Sequence, residues 1–198
     1  MFDPLLRRVI DPPLDRAGAL LARLPFGANA WSVAGLVVGL LAVPLLAWER
    51  FDLALVAILV NRLVDGLDGA VARHKGPTRF GGYVDIMCDM AFYAAVPVGF
   101  ALARPEFAPW AALLLASFVC TGTSFLGRAL LAQQRGEPDD GTRGAKSFFH
   151  SAGLIEGGET IAAFVLFCLF PSAFPALGGT VAALCFITAV ARVLSARN

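Results

Sequence analysis

Charged side chains are scarce in this sequence. Its 198 residues hold 16 Lys and Arg against 15 Asp and Glu, a formal net charge of +1. That balance excludes a general nucleic-acid binder, which needs a basic surplus to displace counterions from phosphates. Cysteine is thin as well. Cys88, Cys120, Cys168 and Cys185 lie inside apolar stretches with no paired spacing. A disulfide framework and a zinc site are therefore not expected, and small buried residues are. Internal repeats, low-complexity tracts and strand-like alternation are all missing, which leaves helices as the building element. A cleavable signal peptide is not expected either, because Met1 to Arg23 is interrupted by charges and by Asp11-Pro12-Pro13.

What is present is apolar surface. Hydrophobic residues make up 58% of the chain and mean hydropathy is +0.71, beyond an ordinary soluble domain. One membrane domain over residues 1–198 is expected, with six spans between residues 29 and 195. Trp31 and Trp48 flank the first span, Ala30 to Trp48, as interface anchors. The others run from Phe51 to about His74, from about Gly81 to Ala103, and from Trp110 to about Leu131. Two more run from near Phe148 to Pro171 and from about Phe174 to Leu194. Before them, residues 1–24 read as an amphipathic surface helix, with Asp11 as cap and Pro12 or Pro13 in its first turn. Leu14, Ala17, Gly18 and Leu21 form its apolar stripe. Nearly all Lys and Arg fall at the termini and in the loops after spans two and four. The opposite loops hold only Arg50 and Arg104. Both termini are therefore expected in the cytoplasm.

The charges that enter the apolar helices are concentrated. DGLDGAVARHKGPTRFGGYVDIMCD, residues 65–89, contains four aspartates. Asp65 and Asp68 share one helix face, and Asp85 and Asp89 share a face of the next. Four facing carboxylates repel unless cations hold them, and hard oxygen ligands suit Mg²⁺ or Mn²⁺. Carboxylates at membrane depth mark a functional site by default.

The pattern reads D-x-x-D-G-x-x-A-R, seven residues, then G-x-x-x-D-x-x-x-D, on Asp65, Asp68, Gly69, Ala72, Arg73, Gly81, Asp85 and Asp89. It resembles the signature of the CDP-alcohol phosphatidyltransferase family. The resemblance implies an all-α integral membrane enzyme with six transmembrane helices, working as a homodimer. It implies transfer of a phosphatidyl or similar group from a CDP-linked lipid such as CDP-diacylglycerol to an alcohol, with release of CMP. Asp65, Asp68, Asp85 and Asp89 would hold two divalent cations, and Asp89 would also be the general base. Gly69, Ala72, Arg73 and Gly81 would receive the CDP-lipid, with Arg73 meeting the pyrophosphate or pairing with a carboxylate. The later run KSFFHSAGLIEGGETIAAFVLFCLFP resembles a small bacterial inner-membrane branch of the family. The Lys and Arg count puts the aspartates on the cytoplasmic side too, where CDP-lipid and divalent cations are found.

Acceptor residues are less defined. Arg128, Arg143 and Lys146 suit a phosphorylated acceptor. Glu156 and Glu159, three apart in the fifth span, suit an amine or hydroxyls, or a pairing with Arg62. Asn29 and Ser32 either cap the first span or reach the aspartates. His74 and His150 read as interface and packing residues. The alternative class is a membrane transporter or channel with a divalent-cation site. Against it, the acids gather at one membrane face and no inverted repeat is evident.

Overall fold

The computed structural model describes residues 3–136 and 154–196, with side chains from Pro12 onward. Its elements are helices α1 (Asp3–Leu21), α2 (Ala28–Leu40), α3 (Ala42–Ala47), α4 (Phe51–Lys75), α5 (Arg79–Ala103), α6 (Ala108–Arg135), α7 (Gly157–Leu169) and α8 (Phe174–Ala196), with 3₁₀ turns at Pro105–Phe107 and Pro171–Ala173. Arg143, Lys146 and His150 lie outside the described residues.

Four stretches are long and apolar enough to cross a membrane: Ala28–Ala47, Arg79–Ala103, Pro105–Arg135 and Pro171–Ala196. Helix α4 is as long as α5, but every 18-residue window of it includes Arg62, Asp65 and Asp68. Helix α7 is apolar but only 13 residues long. The fifth span was expected from near Phe148; the described helix begins at Gly157. The first expected span is two helices that meet at Leu41. Pro44 lacks the amide that would continue the ladder to Leu40.

Helix α1 also differs from expectation. It begins at Asp3 and runs through Pro12 and Pro13, so Asp11 does not open it. Prolines keep helical φ but lack the amide donor and crowd the carbonyl one turn earlier. Its apolar stripe packs on α4. A methyl added at Gly18 would lie 2.5 Å from the Ala70 side chain, and Leu14 fills the space over Gly66.

Aromatic rings fill one end of the bundle. Phe100 stacks on Phe174 at 4.4 Å between centroids, and Phe167 meets both edge-on. At that end Arg104 joins Glu49 in a two-pronged ion pair of 2.9 and 3.1 Å, tying two short turns together. This hydrogen-bonded pairing holds the Glu49 carboxyl below its ordinary pKa. Around the bundle, Val37, Val56, Val119 and Val190 are exposed, as hydrocarbon-facing positions would be.

Small residues let α2 approach α4 closely enough to set the site. Asn61 donates to Gly35 O at 2.8 Å, and a methyl at Gly39 would lie 2.6 Å from Phe92 and 2.8 Å from Asn61 Nδ2. Gly39→Ala therefore overpacks a buried contact, at about 1–3 kcal/mol. Its thermal midpoint should fall by roughly 2–10 °C. An unchanged midpoint would mean that the two helices do not meet there.

Candidate active site

Helix α4 ends at Gly76, whose φ of 95° suits only glycine. Helix α5 begins at Arg79, capped by Thr78, whose hydroxyl accepts from Gly81 N at 2.9 Å. This short reversal turns the chain back, and α2 packs on both helices, so the aspartates of α4 and α5 face each other across the space between them. Asp65, Asp68 and Asp85 each bring a carboxylate oxygen within 4.8 Å of the others. Asp68 is only 4% exposed, and its Oδ2 has no hydrogen-bond partner among the described residues. An ionised oxygen in that position is costly unless a cation meets it. The donor set and the orphaned oxygen therefore fit a hard divalent cation.

Asp89 falls outside that group of three. It accepts from Arg62 Nη1 at 2.9 Å, and the same nitrogen reaches Asp65 Oδ2 at 3.4 Å. Arg62 Nε donates to Asn61 Oδ1 at 2.8 Å, and its guanidinium lies 4.7 Å over the Phe92 ring. Arg62 is thus committed to the aspartates rather than to Glu156 or Glu159, the pairing its sequence position left open. Only the placement of α5 opposite α4, with α2 packed on both, brings Asp89 within its reach.

A cavity of about 1670 Å³ opens over this cluster and takes in all four aspartates, Gly69, Ala72, Arg73 and Gly81. A methyl at Gly69 would meet nothing nearer than Arg73 Nη1 at 3.9 Å, so this edge of α4 is open to a large ligand. Gly81 is tight instead, with Thr78 Oγ1 and Asn29 Oδ1 at 3.0 and 3.1 Å from such a methyl. Arg73 pairs with Asp15 of α1 at 3.3 Å, and His74 approaches the same carboxylate at 3.4 Å. Lys75 donates to the carbonyls of Leu24 and Phe26, fastening the α1–α2 connection. Asn29 and Ser32 both line the cavity. Neither caps α2, whose N-cap is Gly27 without a side-chain hydrogen bond. The Ser32 hydroxyl donates instead to Ala28 O at 3.4 Å within its own helix.

The expected acceptor residues separate. Glu156 lines the cavity, whereas Glu159 and Arg128 do not. Glu156 and Glu159 form a capping box at the start of α7, with Glu156 N donating to Glu159 Oε2 at 3.2 Å. Two residues escaped the sequence reading. Arg192, 6% exposed, lines the cavity, donates to Thr121 O at 3.2 Å and feels the charge of Glu156. A cation inside an apolar helix was its available signal. Asp15 had no such signal, since its role depends on how α1 docks.

A family model described as CDP-alcohol phosphatidyltransferase matches residues 25–194. The chain belongs to that family. Among CDP-alcohol phosphatidyltransferase relatives, "Inner membrane protein YnjF" of Escherichia coli is 43% identical over 196 residues, covering 98% of this chain and 95% of the relative. "Archaetidylinositol phosphate synthase" of Pyrococcus horikoshii is 28% identical over 194 residues, with the same coverages. Two structures of the Mycobacterium tuberculosis phosphatidylinositol phosphate synthase share the fold. The one with CDP-DAG bound has a TM-score of 0.69 at 19% identity, covering 92% of each chain. The one in complex with manganese and citrate has a TM-score of 0.71 at 21% identity, covering 93% of this chain and 89% of that one.

Proposed function

We propose that this protein transfers a phosphatidyl group from CDP-diacylglycerol to the hydroxyl of a small alcohol, releasing CMP. The observation that carries this reading is the partition of the aspartates: three carboxylates grouped as for a cation, and Asp89 beside them on the same cavity. Asp65, Asp68, Asp85 and Asp89 hold two divalent cations, Mg²⁺ or Mn²⁺. When bound, these neutralise charge on the attacking and leaving oxygens. Asp89 takes the proton of the acceptor hydroxyl as its oxygen bonds to the lipid-linked phosphorus. The bridging P–O bond breaks, and its electron pair leaves with CMP. Gly69 and Ala72 give the nucleotide room, Gly81 keeps the turn closed, and Arg73 exchanges Asp15 for the pyrophosphate.

The wider setting follows from the same reading. Helices α4 and α7 complete six spans with the four apolar stretches, and α4 fails the apolar test only through the charges the reaction uses. The protein sits in the bacterial inner membrane, with both termini and the aspartates cytoplasmic and α1 on the membrane surface. It functions as a homodimer.

For the acceptor we propose a phosphorylated alcohol. Arg192 supplies a buried cation on the cavity wall, Glu156 holds a hydroxyl, and Arg143 and Lys146 draw the anion in. The test is CMP release from CDP-diacylglycerol with a panel of alcohols, with and without Mn²⁺. Metal-dependent release with a phosphorylated alcohol is expected, and no release with any alcohol would refute transferase activity. A charge-assisted contact contributes roughly 1.5–3 kcal/mol, so Arg192→Gln should raise acceptor KM about ten- to a hundredfold and leave CDP-diacylglycerol KM unchanged. If Glu156→Gln alone raises acceptor KM, the acceptor is neutral or cationic instead.

A further inference from the structure

We infer that Arg62 is a positioning residue for the reaction, fixing the Asp89 carboxylate in place beside the three-aspartate group. This rests on the transferase reading above and adds a residue that the family pattern does not contain.

The guanidinium is held on three sides. Asn61, itself anchored to Gly35 O at 2.8 Å, accepts from Nε at 2.8 Å. Phe92 lies under the plane at 4.7 Å. Nη1 meets Asp89 Oδ1 at 2.9 Å and Asp65 Oδ2 at 3.4 Å. A planar group clamped in this way fixes the direction in which its hydrogens point. Asp89 therefore accepts from one nitrogen whose direction the clamped plane fixes, rather than being left to swing. A permanent positive charge beside Asp65 also opposes cation binding there. A residue that weakens metal affinity would be a poor choice for stability or metal loading alone. Its benefit lies in holding the fourth carboxylate where the acceptor proton must go, since misplacement of a reacting group is expensive in rate.

This makes an unusual pair of expectations. In Arg62→Met, kcat should fall by about tenfold or more while CDP-diacylglycerol KM stays within about twofold. The same variant should bind Mn²⁺ more tightly, by about threefold or more, because a repelling charge is gone. Arg62→Lys keeps the charge without the clamped plane, so Mn²⁺ affinity should match the parent while kcat still falls. Mn²⁺ binding is measured by equilibrium dialysis of the detergent-solubilised full chain without lipid substrate, alongside steady-state CMP release. Weaker Mn²⁺ binding in step with lower kcat would mark a merely structural role and overturn the inference. Full activity of Arg62→Lys would overturn it too, showing that charge alone suffices. A parent that binds Mn²⁺ but releases no CMP would instead refute the transferase reading, and the binding arm would still read the effect of Arg62.

Discussion

Asp89→Asn lowers kcat by roughly a thousandfold, within the range lost when a general base is removed. The substitution is nearly isosteric, and the amide oxygen can still accept from Arg62, which meets Asp89 at 2.9 Å. The clamp on residue 89 therefore survives, while the proton acceptor and one of the four proposed cation-holding carboxylates are lost. CDP-diacylglycerol binding should change little, because Gly69, Ala72 and Arg73 lie on α4 and Asp65, Asp68 and Asp85 still form their group. Kinetics with the best acceptor, paired with equilibrium binding of CDP-diacylglycerol, check both halves. Activity equal to the parent would remove Asp89 as the base.

The second large effect is at Asp68 and has opposite signs with and without metal. Asp68 is 4% exposed, and Oδ2 has no partner among the described residues. Asp68→Asn removes a buried charge, so without metal the variant should be more stable than the parent. It also removes a proposed ligand. Losing a supporting residue around a metal already costs about 10–100-fold in affinity, and a ligand itself costs at least as much. Mn²⁺ should raise the thermal midpoint of the parent, as binding to the native state must. It should leave that of Asp68→Asn nearly unmoved at the same concentration. Thermal unfolding in EDTA and in Mn²⁺ decides the matter. A variant less stable than the parent in EDTA would mean that Asp68 is satisfied by the protein itself.

Much of this was legible in the sequence because it depends on spacing along one helix. Asp65 with Asp68, and Asp85 with Asp89, must share faces whatever surrounds them. The glycine-bearing turn between them can only reverse the chain, so their meeting was foreseeable. Helix extents followed from apolar runs, with α5 observed at Arg79–Ala103 against an expected start near Gly81. What stayed hidden depends on contacts between helices. Arg62 finds Asp89 only because α5 lies opposite α4 at that level. Arg73 finds Asp15 because Gly18 lets α1 settle on Ala70. Glu156 and Glu159 read as a matched pair of ligands, yet three-residue spacing is also that of a capping box, and the break before Gly157 chose the latter. Arg192 passed for one more positive charge at a helix end until its position on the cavity wall was seen.

The most direct measurement follows the lipid-linked phosphorus. CDP-diacylglycerol carrying ³²P only at the phosphate bonded to diacylglycerol is incubated with purified protein, Mn²⁺ and the best acceptor. Phosphatidyl transfer predicts that all released CMP is unlabelled and that an equal amount of label appears in a new lipid. Both should vanish with EDTA or without the acceptor. Labelled lipid that stays unchanged, or label leaving in a water-soluble product, would contradict phosphatidyl transfer.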